Sequence, residues 1–395
     1  MWYNNSMSFF GLFTTRKPPL QMVVDVGSHA IKALLFEKPV GRLLDKSDKT
    51  TFPRIAKKMF FKLPVSAGQD KIVARLREFI FTTVKEFERV PEKIVIALGS
   101  NLAEETLRLW TVHPSAAVKK ISTRDLSVYF QNLFETNRDP KLASLAYPFG
   151  FLVNGYTVTP KVIEQINVTE IGFRTLVLSF PENVGVKLAE MKQSLGGMPI
   201  EFVPLIAAVK EAIVFSLDLR DMLLVDVGGE ETNLAFVKNS EVRQVCSLAV
   251  GAHHFLRGIA KISEMTLEEA ESKKRQYIQG VISEKVRSKL QEFLSQESLV
   301  WKQDFIAKLD CFYHLGPLPS KVLLFGGGAY LPEIVSILRG ADWLGGFSDN
   351  NVPEVRIIEA SSLFQGDSLG GFLQGPEETG LASLMIYSLR HESFW

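Results

Sequence analysis

Cysteine is nearly absent from this sequence: Cys246 and Cys311 are the only two in 395 residues. Far apart and without metal-ligand spacing, they exclude a disulfide framework and a cysteine zinc site, and they suit a reducing cytoplasm. An excess of one charge is missing too. The 45 Lys and Arg against 44 Asp and Glu leave a formal net charge of +1, so nothing argues for a nucleic-acid partner, whose binders carry a basic patch. No apolar run reads as a membrane span. The longest uncharged stretch, Leu142 to Pro160, contains Pro148, Gly150, Asn154 and Gly155, which suit a turn better than a buried helix. What remains is ordinary for a soluble globular protein, with 46% hydrophobic and 23% charged residues, in a chain long enough for two or more full-sized cores.

The informative feature is a phrase that occurs twice. Met22-Val23-Val24-Asp25-Val26-Gly27 runs into Ser28-His29-Ala30-Ile31-Lys32, and Leu223-Leu224-Val225-Asp226-Val227-Gly228 runs into Gly229-Glu230-Glu231-Thr232-Asn233. Each copy reads as an apolar strand, an Asp-x-Gly turn and a returning strand. Between the copies, Asp70 to Arg89 has the spacing of an amphipathic helix, and Ile94 to Leu98 reads as a buried strand. A strand is expected around Thr106 to Val112. Ser122 with Asp125 three residues on signals a helix start, and strands are expected around Phe151 to Thr159 and Gly172 to Ser179. Val184 to Leu195 reads as a helix ended by Gly196-Gly197. Beyond the second copy come helices over His253 to Ile262, Leu267 to Tyr277 and Val281 to Phe312. Lys321 to Phe325 is a strand entering Gly326-Gly327-Gly328, Pro332 opens a helix, and Thr379 to Arg390 is a last apolar helix. Strands alternating with helices in two hairpin-first halves make this an α/β protein of two related lobes.

Two such turns facing across a cleft can hold a metal-bound polyphosphate. Gly27, Gly228 and Gly229 let backbone N–H groups approach phosphate oxygens. The carboxylates of Asp25 and Asp226 come within reach of Mg²⁺, through its retained waters. Lys32 offers a point charge, and Ser28, His29 and Thr232 flank the turns. The Gly326-Gly327-Gly328 turn permits close approach of a ribose or α-phosphate, and its alternative is a tight turn that binds nothing. Glu271 and Lys274, three apart on one helical face, suit either ribose hydroxyls or an exposed ion pair.

In their order, these elements resemble the actin/Hsp70/sugar-kinase superfamily. The local wording is similar to its bacterial division-and-pilus branch, the FtsA and PilM proteins. The resemblance rests on Val203 to Ala208, on Ser247 to Ala260, on the Ala-Glu-x-x-Lys pattern from Ala270 to Lys274, and on Gly380-Leu381-Ala382. It implies a two-lobed actin-like ATPase fold with duplicated ribonuclease-H-like lobes and an FtsA-type inserted small domain. The implied first lobe comprises 21–100 with 182–205 and 376–395, the insertion 101–181, the second lobe 206–255 with 321–375, and its helical subdomain 256–320. ATP and Mg²⁺ are the implied cofactors. The implied role is a cytoplasmic adaptor at the inner face of the cell membrane, with at most weak ATPase activity. The first reading is FtsA-type, meeting FtsZ or other division proteins and self-associating into filaments. The alternative is PilM-type, meeting a PilN-like pilus protein; a non-hydrolysing scaffold and a small-molecule kinase are further readings.

Two departures from the family bear on activity. Where the family's second turn reads Asp-x-Gly-Gly-Gly-Thr-Thr-Asp, this chain places Glu230 and Glu231. Two acids in a turn that wraps a polyanion must point to solvent, hold Mg²⁺, or mark the loss of the terminal-phosphate role, and outward-pointing side chains are the first expectation. The ends differ as well. Residues 1–20 are aromatic-rich and followed by basic residues, which suits either a short peripheral membrane or partner contact or a tail packed on its own domain. Phe394 and Trp395 close the chain where FtsA carries a membrane helix.

Overall fold

The computed structural model describes residues 18–39, 53–87, 89–115, 120–139, 142–158, 163, 166–195, 198–340, 342–345, 352–364, 369 and 371–390. The N-terminal contact segment up to residue 17, Gly196-Gly197 and Phe394-Trp395 lie outside them.

Both copies of the repeated phrase are hairpins. β1 (Leu20–Val26) is buried along its whole length and pairs antiparallel with β2 (Ala30–Glu37), which sets Asp25 opposite Lys32. β3 (Arg54–Lys62) continues the sheet outward. Helix α1 (Gln69–Glu86) buries Ile72, Val73, Leu76 and Ile80, the stripe its spacing predicts. It crosses back to β4 (Lys93–Leu98), parallel to β1, and β9 (Ile200–Pro204) completes the order β3-β2-β1-β4-β9.

The second lobe repeats the pattern. β10 (Met222–Val227), β11 (Thr232–Lys238) and β12 (Glu241–Leu248) form the meander, and β13 (Lys321–Phe325) and β14 (Glu354–Ile357) add parallel strands in the order β12-β11-β10-β13-β14. Here Asp226 stands opposite Asn233, the position Lys32 holds in the first hairpin. Central strands buried on both faces read as continuous apolar runs, which is why both hairpins stand out in the sequence. β14 does not, being four residues with only alternate burial.

A third sheet, β5-β8-β6-β7, lies wholly between β4 and β9 in the chain. It comprises β5 (Glu104–Val112), β6 (Ala143–Val153), β7 (Tyr156–Val158) and β8 (Ile171–Phe180), with α2 (Thr123–Asn137) packed on it. Ser122 and Asp125 form the expected capping box at the start of α2. β6 starts earlier than the sequence suggests. Pro148 and Gly150 do not turn the chain; they sit at a register shift within β6, a position where a sheet tolerates proline. The turn falls at Asn154 and Gly155, both with positive φ (52° and 83°), the requirement of a tight two-residue hairpin.

The remaining helices fill the lobes. In the first lobe α3 (Glu182–Ser194) precedes β9. α4 (Leu205–Leu217) and α9 (Thr379–Arg390), buried from Thr379 to Leu389, join the core of the first sheet. In the second, α5 (Ala252–Ser263), α6 (Leu267–Gln279) and α7 (Glu284–Leu309) form a helical layer around the stacked Trp301 and Phe305 rings, with α8 (Pro332–Arg339) following β13.

Candidate functional site

The ends of β1 and β10 point toward one another across the gap between the lobes, and a cavity of about 680 Å³ opens there. Asp25, Gly27, Ser28, His29 and Lys32 line it from the first lobe, and Asp226, Gly228 and Gly229 from the second. Gly326 and Gly327 follow β13, while Glu271, Lys274 and Arg275 come from α6. This size is within the range of small-molecule sites. Sequence positions separated by hundreds of residues thus meet in one place.

The electrostatics at its floor suit a cation. Asp226 is pushed up to about 7 by burial and by Asp25 beside it, against the pull of Lys32. A carboxylate whose charge is opposed by burial and by a like neighbour is stabilised when a divalent ion stands beside it. Lys32 Nζ lies 3.5 Å from Asp25 Oδ2 and also donates to the Glu377 carbonyl. Gly326 adopts φ +92°, and a Cβ there would stand 2.4 Å from Asp226 Oδ1. A Cβ on Gly327 would meet nothing within 4 Å, so its backbone is open to a ligand.

Beyond the turns lies a second, smaller pocket of about 70 Å³, lined by Ser100, Asn101, Glu105, Glu231 and Asn233 together with both aspartates. Its surroundings are acidic. Glu105, from β5 of the third sheet, is pushed up to about 8 by burial, with Glu231 and Asp226 adding to the effect.

The two turns, which line both pockets, touch one another. The Glu230 N–H donates to Ser28 Oγ at 3.0 Å. His29 Nδ1 and His253 Nε2 are 3.0 Å apart, and His253 Nδ1 is 2.9 Å from Glu230 Oε1. The Glu230 carboxylate also accepts from the Ser66 N–H and Arg257 Nη1, each at 3.0 Å. Burial opposes its charge, yet the hydrogen bonds from His253 and Arg257 outweigh that and hold it below the usual carboxylate range. Glu230 therefore does not point to solvent as first expected: the ring of donors around it draws it inward to bridge the lobes. On the cavity side, Glu271 pairs with Lys62 of β3 and lies 3.3 Å from His29 Nε2.

Most of the residues singled out in the sequence converge on the cavity, with two exceptions. Thr232 is fully buried in the second lobe, where its hydroxyl donates to the Val250 carbonyl and accepts from Trp301 Nε1. Gly328 is a packing position, where a Cβ would lie 2.3 Å from Val227 Cγ1. Glu271 has Lys62 and Arg275 as its ion-pair partners, while Lys274 has its pKa lowered by burial. Reading the sequence alone missed Ser66, Lys62, His253, Arg257 and Glu105. Their partners are distant in the chain, up to 224 positions for His29 and His253, and no local pattern announces them.

No family model matches the chain, and no curated protein matches it in sequence. Solved structures do match it. PilM, in a PilM–PilN type IV pilus biogenesis complex, superposes with a TM-score of 0.62 at 16% identity, covering 93% of this chain and 98% of that one. EutJ, an ethanolamine utilization protein from Carboxydothermus hydrogenoformans, gives 0.46 at 13% identity, covering 94% and 91%. MreB5 of Spiroplasma citri bound to ADP gives 0.46 at 12%, covering 93% and 96%. The chain has the actin-like ATPase fold.

Proposed function

We propose that this chain is an actin-like adaptor that binds an adenine nucleotide with Mg²⁺ in its interlobe cavity and turns it over slowly or not at all. The observation that carries this reading is the convergence of two Asp-x-Gly turns, Lys32 and the Gly326-Gly327 turn on one cavity. Asp25 and Asp226 would hold the metal, directly or through water, and the metal would supply neutralising charge to phosphate oxygens. Lys32 adds a point charge from the side, and the open backbone at Gly327 suits the nucleoside. Glu271 and Lys274 remain the residues for ribose hydroxyls.

The kinase reading needs a base between the lobes to take a proton from an acceptor hydroxyl. Glu105, the acid nearest the turns from the inserted sheet, is held protonated at neutral pH, which argues against that role. Calorimetry of Mg-nucleotide binding to the full chain tests the proposal. Asp25→Ala and Asp226→Ala should each weaken binding by about tenfold or more, the equivalent of about 1.4 kcal/mol. Absent binding to the wild type, or variants that bind unchanged, would end it.

For the cellular role, a PilM-type adaptor at the inner face of the cell membrane fits as well as the division role expected first. The inserted domain had favoured FtsA, but the PilM match leaves only 7% of this chain uncovered, less than that domain occupies. A PilN-like protein is then the partner to test, and FtsZ the comparison. Binding to FtsZ alone, or phosphorylation of a soluble metabolite, would redirect the assignment.

A further inference from the structure

We infer that the cavity selects a nucleoside diphosphate over the triphosphate, because the contact between Ser28 and the second turn closes the gap a third phosphate would enter and the Glu230 carboxylate occupies the donors beside it. This rests on the nucleotide reading of the cavity. A polyphosphate held by both turns would have to reach from the large cavity into the gap between them. In this protein that gap is closed. Ser28 Oγ and the Glu230 N–H are at hydrogen-bonding distance, and even a Cβ added to Gly229 would lie 2.7 Å from Ser28 Oγ. A tetrahedral phosphoryl group cannot enter between atoms already in contact.

The donors are engaged as well. The first N–H groups of α5, which would otherwise attract an anion, donate to the second turn: Ala252 to the Gly228 carbonyl at 2.9 Å and His253 to that of Gly229 at 2.7 Å. Gly27 and Gly228 close their own turns, onto Ala30 and Glu231. Ser66 holds φ +60°, an uncommon conformation for a residue with a side chain, and its N–H serves Glu230. With Arg257 and His253 this completes an anion cradle whose anion is a side chain. Were the turns to part, a third phosphate would face the Glu231 carboxylate in the smaller pocket, and like charges at such range repel. The large cavity shares Ser28, Gly229 and His253 with these contacts but keeps Lys32, Lys274 and the glycine turn on its open side, and it would accommodate the nucleoside with two phosphates.

The test is equilibrium binding to the full-length protein, with Mg-ADP compared against the Mg complex of the β,γ-imido analogue of ATP, which cannot generate ADP. The diphosphate should bind at least about tenfold more tightly, since the triphosphate must break the half-buried contact between Ser28 and the second turn. Because glycine at 230 keeps the N–H that meets Ser28 Oγ, the double variant Ser28→Ala/Glu230→Gly, which removes both the contact and the carboxylate, should bring the two affinities within about twofold by restoring the triphosphate rather than weakening the diphosphate. Equal or tighter triphosphate binding by the wild type overturns the inference and leaves the nucleotide reading intact. If neither ligand binds, both fall. The wild-type ratio decides the matter even if the variant does not fold.

Discussion

At the scale of single residues, the contact between His29 and His253 has a definite proton count. The run Glu230, His253, His29, Glu271 has three gaps, and two neutral imidazoles bring two protons. The two short gaps, 2.9 and 3.0 Å, are served if each Nδ1 carries its proton, which leaves the 3.3 Å gap to Glu271 without one. His29 is pushed down to about 4, first by burial and then by His253, Lys274 and Lys62, against the pull of Glu271. His253 is lowered by burial against Glu230. The sign of the pH effect follows. Between about 6.5 and about 4 the unfolded chain binds the proton that folded His29 refuses, so stability falls as the pH drops through that window. Urea unfolding across that range should show a shallower acid loss for His29→Gln than for the wild type; parallel curves would remove His29 as the cause. None of this was readable from the sequence, where His29 is one residue beside a turn and its partner lies in another lobe.

At the scale of elements, the strands and turns were the legible part. β1 and β10 announce themselves because strands buried on both faces need uninterrupted apolar residues, and the Asp-x-Gly turns are local chemistry. β6 was misplaced at its start because Pro148 and Gly150 carry the same signal in a turn and in a bulge, and only the partner strand β8 distinguishes them. The turn after β13 gives a prediction at this scale. Gly326 has φ +92°, and a Cβ there would fall 2.4 Å from Asp226 Oδ1 and 2.6 Å from the Val227 carbonyl. Gly326→Ala should therefore destabilise the protein by about 1–3 kcal/mol and displace Asp226, weakening ligand binding as well. Gly327→Ala, where nothing lies within 4 Å, should leave stability nearly unchanged. Thermal unfolding of the two variants side by side checks the contrast.

At the scale of the molecule, the inserted sheet is attached to both lobes. Tyr147 of β6 hydrogen-bonds Tyr387 of α9 at 3.0 Å, and Tyr387 bonds Glu201 at 2.9 Å. Arg174 of β8 pairs with Glu241 of β12 on the other side. A change in the angle between the lobes must therefore strain or break one of these attachments. Glu241→Ala should raise amide exchange in β6 and β8 while β1 stays protected; unchanged exchange throughout would show that the pair does not fasten the insertion. The two-lobed plan could be read from the repeated phrase, but these attachments depend on how the folded units meet.

The closed turns also bear on time. Lys62 with Glu271 and His29 with His253 join the lobes along the wall of the cavity, so parting the lobes must break both pairs. If the proposed nucleotide left only when they part, its residence would be set by the opening rate of the protein. A partner reading the occupied state would then sense the recent past of the nucleotide pool, averaged over that interval.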